Sequence, residues 1–213
     1  LAALAYQQGI LGPLMPFLRE SLDMSYTAGG TLVTAIALGM IVSGLISDRI
    51  ARRIGRHSLF WLGAVGYVIG SWGLALSTTF WFAFAAVLFT SIASAFVIAT
   101  VNASLSDHHP ENRARAIGEA NVAAALSSAV SPLLIGLFQG VGLGWHWALF
   151  LTLGIVAVMA LVFFTVPIPD SPPAASAESG SAATLPAAFW LYWLVVVSVV
   201  AFEWCFVIWG ADY

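Results

Sequence analysis

The chain has no lysine, one cysteine and very little charge: seven arginines, ten acids and 8% charged residues in a length of 213. Each shortage excludes something. Without lysine there is no amine to form a Schiff base with a carbonyl ligand, which removes the retinal-type receptor from the seven-helix proteins. The lone Cys205 lies inside an apolar run, so there is neither a disulfide framework nor a paired Cys-x-x-Cys metal site, and it reads as a packing residue. No Gly-rich phosphate loop is present, so this chain is not expected to hydrolyse ATP. A formal net charge of −3 over so few groups, most of them in loops, says little about partners, and no nucleic-acid partner is expected. The polar shell of a soluble domain is missing altogether.

What is there instead suits hydrocarbon. Hydrophobic residues make up 61% of the chain, and its mean hydropathy is +0.95. Apolar runs recur at 1–18, 27–47, 58–77, 80–103, 116–139, 145–166 and 187–210, most of them long enough to cross a hydrocarbon core of roughly 30 Å as helices. Period-two alternation is absent, which argues against a barrel. The expected fold class is all-α, a polytopic transmembrane bundle. Short polar breaks separate the first six runs, whereas Pro167 to Pro186 holds five prolines, small residues, two acids and no aromatic, and reads as a flexible linker. The expected organisation is therefore a six-helix unit at 1–166, a cytoplasmic linker at 167–186 and one further helix at 187–213. Leu1 opens the chain inside an apolar run and Tyr213 closes it just past another, so both ends are expected to be cuts in a longer protein.

The arginines orient the bundle. Arg49, Arg52, Arg53 and Arg56 lie between the second and third runs, Arg113 and Arg115 between the fourth and fifth, and only Arg19 falls on the other side. By the positive-inside rule the two basic loops and the proline linker face the cytoplasm. Seven tryptophans, Trp61, Trp81, Trp145, Trp147, Trp190, Trp193 and Trp209, stand near run ends, where an amphipathic ring prefers the headgroup level. On the third run Gly63, Gly66, Gly70 and Gly73 form a stripe that lets another backbone come close.

The most specific stretch is the basic loop after the second run, Gly44-Leu45-Ile46-Ser47-Asp48-Arg49-Ile50-Ala51-Arg52-Arg53-Ile54-Gly55-Arg56-His57. It resembles the signature loop of the major facilitator superfamily: a Gly four positions before an Asp, then Arg, any residue, Gly and two basic residues. Gly44, Asp48, Arg49, Arg52 and Arg53 match; Ala51 stands in place of the second glycine, and Gly55-Arg56-His57 is the alternative supply one turn later. The resemblance implies about twelve spans in the whole protein, seven of them here, and secondary transport of a small solute by alternating access. It also implies that this loop is a latch between two bundles. Pro110 to Ala116, with Arg113 and Arg115, is similar to the family's second cytoplasmic loop, whose arginines face acids or lipid phosphates. The fifth run keeps the spacing of an antiporter pattern at Gly118, Ser127, Ser131-Pro132 and Gly136, but serine and isoleucine replace three glycines, so antiport is not implied. The fourth run lacks the arginine of many proton-coupled relatives and offers Thr90 and Ser91 instead.

Polar groups inside a bilayer are costly, so each is a candidate. Gln7 and Gln8 fall near the middle of the first run, with Gly9, Gly12, Pro13 and Pro16 able to bend it, and are candidate substrate-binding residues; interhelical hydrogen bonding is the competing reading. Glu203 lies in the seventh run with no cation near in sequence and is the candidate proton-coupling residue. Glu119, a turn inside the fifth run, is expected to be held by the helix dipole and by its neighbouring arginines. Ser91, Ser94, Ser127 and Ser128 lie deeper and read as packing. No catalytic residue, metal ligand set or cofactor is expected. Asp107-His108-His109-Pro110-Glu111 is the one foothold for a membrane-embedded enzyme, and its spacing matches no zinc motif. A seven-helix receptor is the other alternative, but the proline linker before the seventh run has no place in it. The expected partners are a small-molecule substrate, protons and membrane lipid; the full-length protein is expected to be a monomer in the plasma or inner membrane.

Overall fold

A backbone surrounded by hydrocarbon has to satisfy its N–H and C=O groups within its own segment, and each apolar run is accordingly a helix. The computed structural model describes residues 1–108, 111–166, 168 and 187–209, with side chains in the last stretch over 188–206. Its helices are α1 (Ala2–Ser21), α2 (Tyr26–Ile54), α3 (Arg56–Ala75), α4 (Phe80–His108), α5 (Arg113–Gly140), α6 (His146–Phe163) and α7 (Ala187–Trp209). No strand occurs among the described residues. Most of the linker 167–186, together with His109 and Pro110 of the second basic loop and the Trp209 side chain, lies outside the described residues.

Among the described residues six helices, α2 to α7, are long and apolar enough to cross a membrane. The first of the seven expected spans differs: α1 is 20 residues long but carries Gln7, Gln8, Arg19 and Glu20. These lower its hydropathy, and the helix lies among other helices, burying Leu4, Tyr6, Ile10, Leu14 and Leu18.

Lipid supplies no hydrophobic drive between helices, so the bundle depends on backbones coming close. The α3 stripe does this against α4. A Cβ added at Gly63 would lie 2.7 Å from the Ala93 carbonyl oxygen, one at Gly66 would lie 3.0 Å from the Ala93 Cβ, and one at Gly70 would run into Thr90. Gly39 seats α2 on α4 in the same way, 2.5 Å from the Ser91 Cβ and 2.9 Å from the Leu88 carbonyl. Gly9 seats α1 on α5 against Ser128 and Ser131. The first helix of each triplet thus crosses the middle helix of the other, α1 on α5 and α4 on α2, as two inverted three-helix repeats would.

Buried polar groups pin α1 further. The Tyr6 hydroxyl donates to the Ala148 carbonyl of α6 at 2.9 Å, and the Tyr67 hydroxyl of α3 donates to the Ala3 carbonyl at 2.6 Å. The hydroxyls Thr90, Ser91 and Thr100 of α4 return to the carbonyls of their own helix four residues earlier. Ser91 and Ser94 are therefore buried, satisfied packing residues.

The glycine contacts make a direct prediction. Gly70→Ala places a methyl group against Thr90 and is expected to cost about 1–3 kcal/mol through overpacking. Gly154→Ala on α6 meets nothing within 4 Å and is expected to be neutral or to gain up to about 1 kcal/mol from helix propensity. Thermal unfolding of the two variants in detergent separates them; equal melting temperatures would contradict close packing at the α3–α4 crossing.

Candidate functional site

The site begins with two prolines. Pro13 lies inside α1 and Pro132 inside α5, and proline has no N–H for the carbonyl four residues back. The carbonyls deprived in this way belong to Gly9 and Ser128. The Ser128 carbonyl takes the Ser131 hydroxyl instead, at 2.7 Å. Because Gly9 packs on Ser128, the two weakened turns face each other.

Beside them opens a cleft of about 730 Å3, with α1, α5 and α7 forming its walls. Its polar lining is Gln8 of α1, Asn121 and Ser128 of α5 and Glu203 of α7, and the remainder consists of alanine, glycine and proline. On α5 the residues Asn121, Ala125, Ser128 and Pro132 follow at helical spacing and share one face. Val122, Leu126, Val130, Leu133 and Leu137 are exposed elsewhere on the same helix. The small residues make the hollow, and the amides, hydroxyl and carboxyl give it hydrogen-bonding chemistry. No arginine, lysine or histidine lines the cleft among the described residues.

The two glutamines separate. Gln8 lines the cleft, whereas Gln7 is 5% exposed and its Oε1 accepts from the Ser71 hydroxyl of α3 at 2.5 Å. Gln7 is thus an interhelical tie and does not line the cleft. Consecutive residues on a helix point about 100° apart, which lets one of the pair face α3 and the other the cleft. Asn121, two residues after Glu119 near the start of α5, and Ser128, read as packing, both line the cleft; the signal was their shared face with Pro132.

The basic end is built differently from the expected loop. α2 continues through it: Gly44, Asp48, Arg49, Arg52 and Arg53 all lie on the helix, which ends at Ile54. The apolar run stops at 47, so residues 48–54 carry α2 about 10 Å further at 1.5 Å per residue. The chain turns at Gly55, with φ 83 and ψ 157, a left-handed backbone that glycine adopts without penalty. Ala51, at the position of the family's second glycine, is ordinary helix whose carbonyl accepts from the Gly55 N–H at 2.9 Å. A Cβ at Gly44 would meet nothing within 4 Å.

Contacts on the two sides of Gly55 are unequal. Before it, Asp48 pairs with Arg52 of its own helix, both exposed, and Arg49 and Arg53 are exposed too. After it, Arg56 Nη1 donates to Asp107 of α4 at 2.6 Å. His57 Nε2 lies 3.0 Å from the Phe164 carbonyl and 3.2 Å from Trp61 Nε1. That nitrogen serves one partner at a time, since carrying a proton for the carbonyl leaves it no lone pair for the indole. On α5, Arg115 Nε donates to Glu119 at 2.8 Å, and both are exposed. Arg113 stands exposed at the first position of that helix. Among the described residues no group of three or more His, Cys, Asp or Glu comes together as a metal site.

Sequence comparison places these features among known proteins. The chain is 25% identical over 78% of its length to the glucose transporter GlcP of Staphylococcus epidermidis. It is 23% identical over 78% to the D-xylose transporter of Levilactobacillus brevis, and 22% identical over 73% to multidrug resistance protein 2 of Bacillus subtilis. The matched parts are 37%, 36% and 39% of those proteins, so the chain spans well under half the length of these curated relatives. The profile of the Major Facilitator Superfamily matches residues 1–212, and the chain, a multi-pass integral membrane protein, belongs to that superfamily.

Proposed function

We propose that the chain supplies the first six-helix bundle, at 1–166, and the opening helix of the second bundle, at 187–213, of a secondary transporter that carries a small polar solute by alternating access. The cleft carries this reading. Gln8, Asn121 and Ser128 offer groups that both donate and accept, which suits the hydroxyls of an uncharged solute, and among the described residues no cation lines the cleft to hold an anion. Two relatives are named for transport of glucose and xylose. A sugar-sized, uncharged polyol is the solute class that fits best. Alternating access requires two bundle arrangements that expose this cleft to opposite sides, and the solute moves the equilibrium only through its different affinity for each.

Coupling rests on Glu203. Among the described residues its carboxyl is the one ionisable group in the cleft lining, and it stands beside Gln8, where a proton taken up from one side can accompany the solute. In proteoliposomes of the full-length protein, Glu203→Gln is expected to abolish proton-driven accumulation while solute exchange across the membrane continues. Accumulation against a gradient in that variant would remove Glu203 from coupling.

The projecting end of α2 is the latch. Asp48, Arg49, Arg52 and Arg53 stand exposed there, placed to reach charges on the second bundle, while the C-terminal helix dipole favours the arginines. Arg113 is placed to reach lipid phosphates, while Arg115 is paired with Glu119. Asp48→Asn is expected to slow turnover at least tenfold while changing solute affinity less than threefold, a split expected when the change falls on interconversion rather than on binding. Wild-type turnover in reconstituted vesicles would overturn the latch assignment.

A further inference from the structure

The start of α3 and the end of α6 share one ring nitrogen. His57 Nε2 lies 3.0 Å from the Phe164 carbonyl oxygen and 3.2 Å from Trp61 Nε1. The carbonyl only accepts and the indole N–H only donates. Nε2 meets the first with a proton and the second with its lone pair, so the two bonds exclude each other. Neutral His57 has a choice, because its one ring proton can sit on Nδ1 and leave Nε2 to the indole, or sit on Nε2 and serve the carbonyl. The imidazolium has none. Both nitrogens then carry protons, the indole bond is lost, and the bond to the carbonyl becomes charge-assisted.

The surroundings favour that exchange. Phe164 caps α6, and carbonyls at the end of a helix lack donors from their own helix and carry the negative end of its dipole. The indole gives up little, since Trp61 is only partly buried and stands at a run end, where water and lipid headgroups can take its N–H. Ring contacts keep the three side chains together in either proton state, with Trp61 against Phe164 at 5.2 Å and His57 edge-on to Phe164 at 6.0 Å. Protonation therefore changes the strength of the contact and not its existence.

We propose that His57 is a proton-operated clasp, which on protonation leaves Trp61 for the Phe164 carbonyl and fastens the end of α6 to the start of α3. Histidine is the side chain whose charge ordinarily changes between about pH 5 and 8. Among the described residues the charged groups on the elements packed against this end are accounted for. On α3 and α4, Arg56 and Asp107 are bonded to each other, and His108 turns back to the Ser104 carbonyl of its own helix. On α2, Asp48, Arg49, Arg52 and Arg53 are exposed. The one titratable side chain of α6, His146, stands at its opposite end. Because Arg56 already joins α3 to α4, the clasp ties the last turn of α6, from which the segment 167–186 leads to α7, onto that frame. Acid on this side of the membrane thus tightens the point at which the second bundle is tethered. The inference stands on these contacts and holds whichever solute is carried.

The test uses the full-length protein in lipid nanodiscs and needs no ligand. With 15N-labelled tryptophan, the Trp61 indole signal, assigned by its loss in Trp61→Phe, is expected to move upfield in one step as the pH falls from 8 to 5.5, the direction of a lost hydrogen bond. Over the same range hydrogen exchange, corrected for the intrinsic effect of pH, is expected to show protection of the last turn of α6 rising about two- to fivefold, the size of a cation's effect at a helix C-terminus. His57→Gln, which keeps a neutral donor but gains no proton, is expected to abolish both steps. Trp61→Phe removes the competing donor and leaves neutral His57 free to hold the carbonyl, so protection at pH 8 is expected to approach the acid value. A Trp61 signal that does not move with pH, a step in either readout that survives His57→Gln, or an undiminished protection step in Trp61→Phe would each overturn the clasp.

Discussion

The close approach of backbones at three crossings is the constraint on which the rest of the bundle depends. In water, α3 and α4 could be held by burying leucine; in lipid, leucine is as well solvated outside the bundle as inside, and association has to come from contact distance and hydrogen bonds. Gly63, Gly66 and Gly70 supply the distance for α3 on α4, Gly39 for α2 on α4, and Gly9 for α1 on α5. Once α3 and α4 are fixed, Tyr67 and Ser71 are positioned to tie down α1 through the Ala3 carbonyl and Gln7. The position of α1 sets the line along which it meets α5. A cleft of defined shape beside that line follows from glycine contacts on the far side of the bundle.

The same crossing gathers the polar groups of the cleft, and the reason is economy of polar groups in hydrocarbon. Each intramembrane proline opens a backbone acceptor that needs a partner or water. Placing Pro13 and Pro132 on the two helices that cross at Gly9 gathers the cost in one place. The Ser131 hydroxyl settles it at Ser128. Gly9 itself lies where Gln8, Ser128 and Glu203 also gather. Alanines at 124, 125 and 129 keep that place open.

Much of the fold was legible because the bilayer imposes one rule on every span. Helix number, the arginine-rich end and the α3 glycine stripe all follow from runs of apolar residues and what interrupts them. Helix ends were less so: α2 outruns its apolar segment by seven residues, from 48 to 54, since Asp48 and the arginines disfavour lipid but not helix, and only Gly55 breaks the backbone. The pair Gln7 and Gln8 shows the other limit. In sequence they are one feature, and the 100° between them decides that one ties α1 to α3 while the other faces the cleft. That decision requires knowing where α3 and α5 stand. Glu203 could be singled out as a lone carboxyl, but its company with Gln8 and Ser128 depends on where α7 lies against α1 and α5, which no local pattern in the seventh run encodes.

The unequal contacts on either side of Gly55 bear on how motion would pass through the basic end. The first turn of α3 is braced on two neighbours, through Arg56 to Asp107 and through His57 to the end of α6, so a force applied to it is shared by α3, α4 and α6. Among the described residues the last turns of α2 show no such brace: Gly44 opens onto empty space, Leu45 and Ile54 are exposed, and Asp48 pairs within its own helix. A latch has to hold in one arrangement and release in the other, so its strength must come from a partner that can leave and not from its own bundle. Arg56, whose carboxylate partner lies within the bundle, is suited to the frame, whereas Asp48, Arg49, Arg52 and Arg53 are suited to the moving contact. In the proposed transport cycle Gly55 is the boundary between the two. Its left-handed backbone lets α2 end on one side while α3 begins, already anchored, on the other.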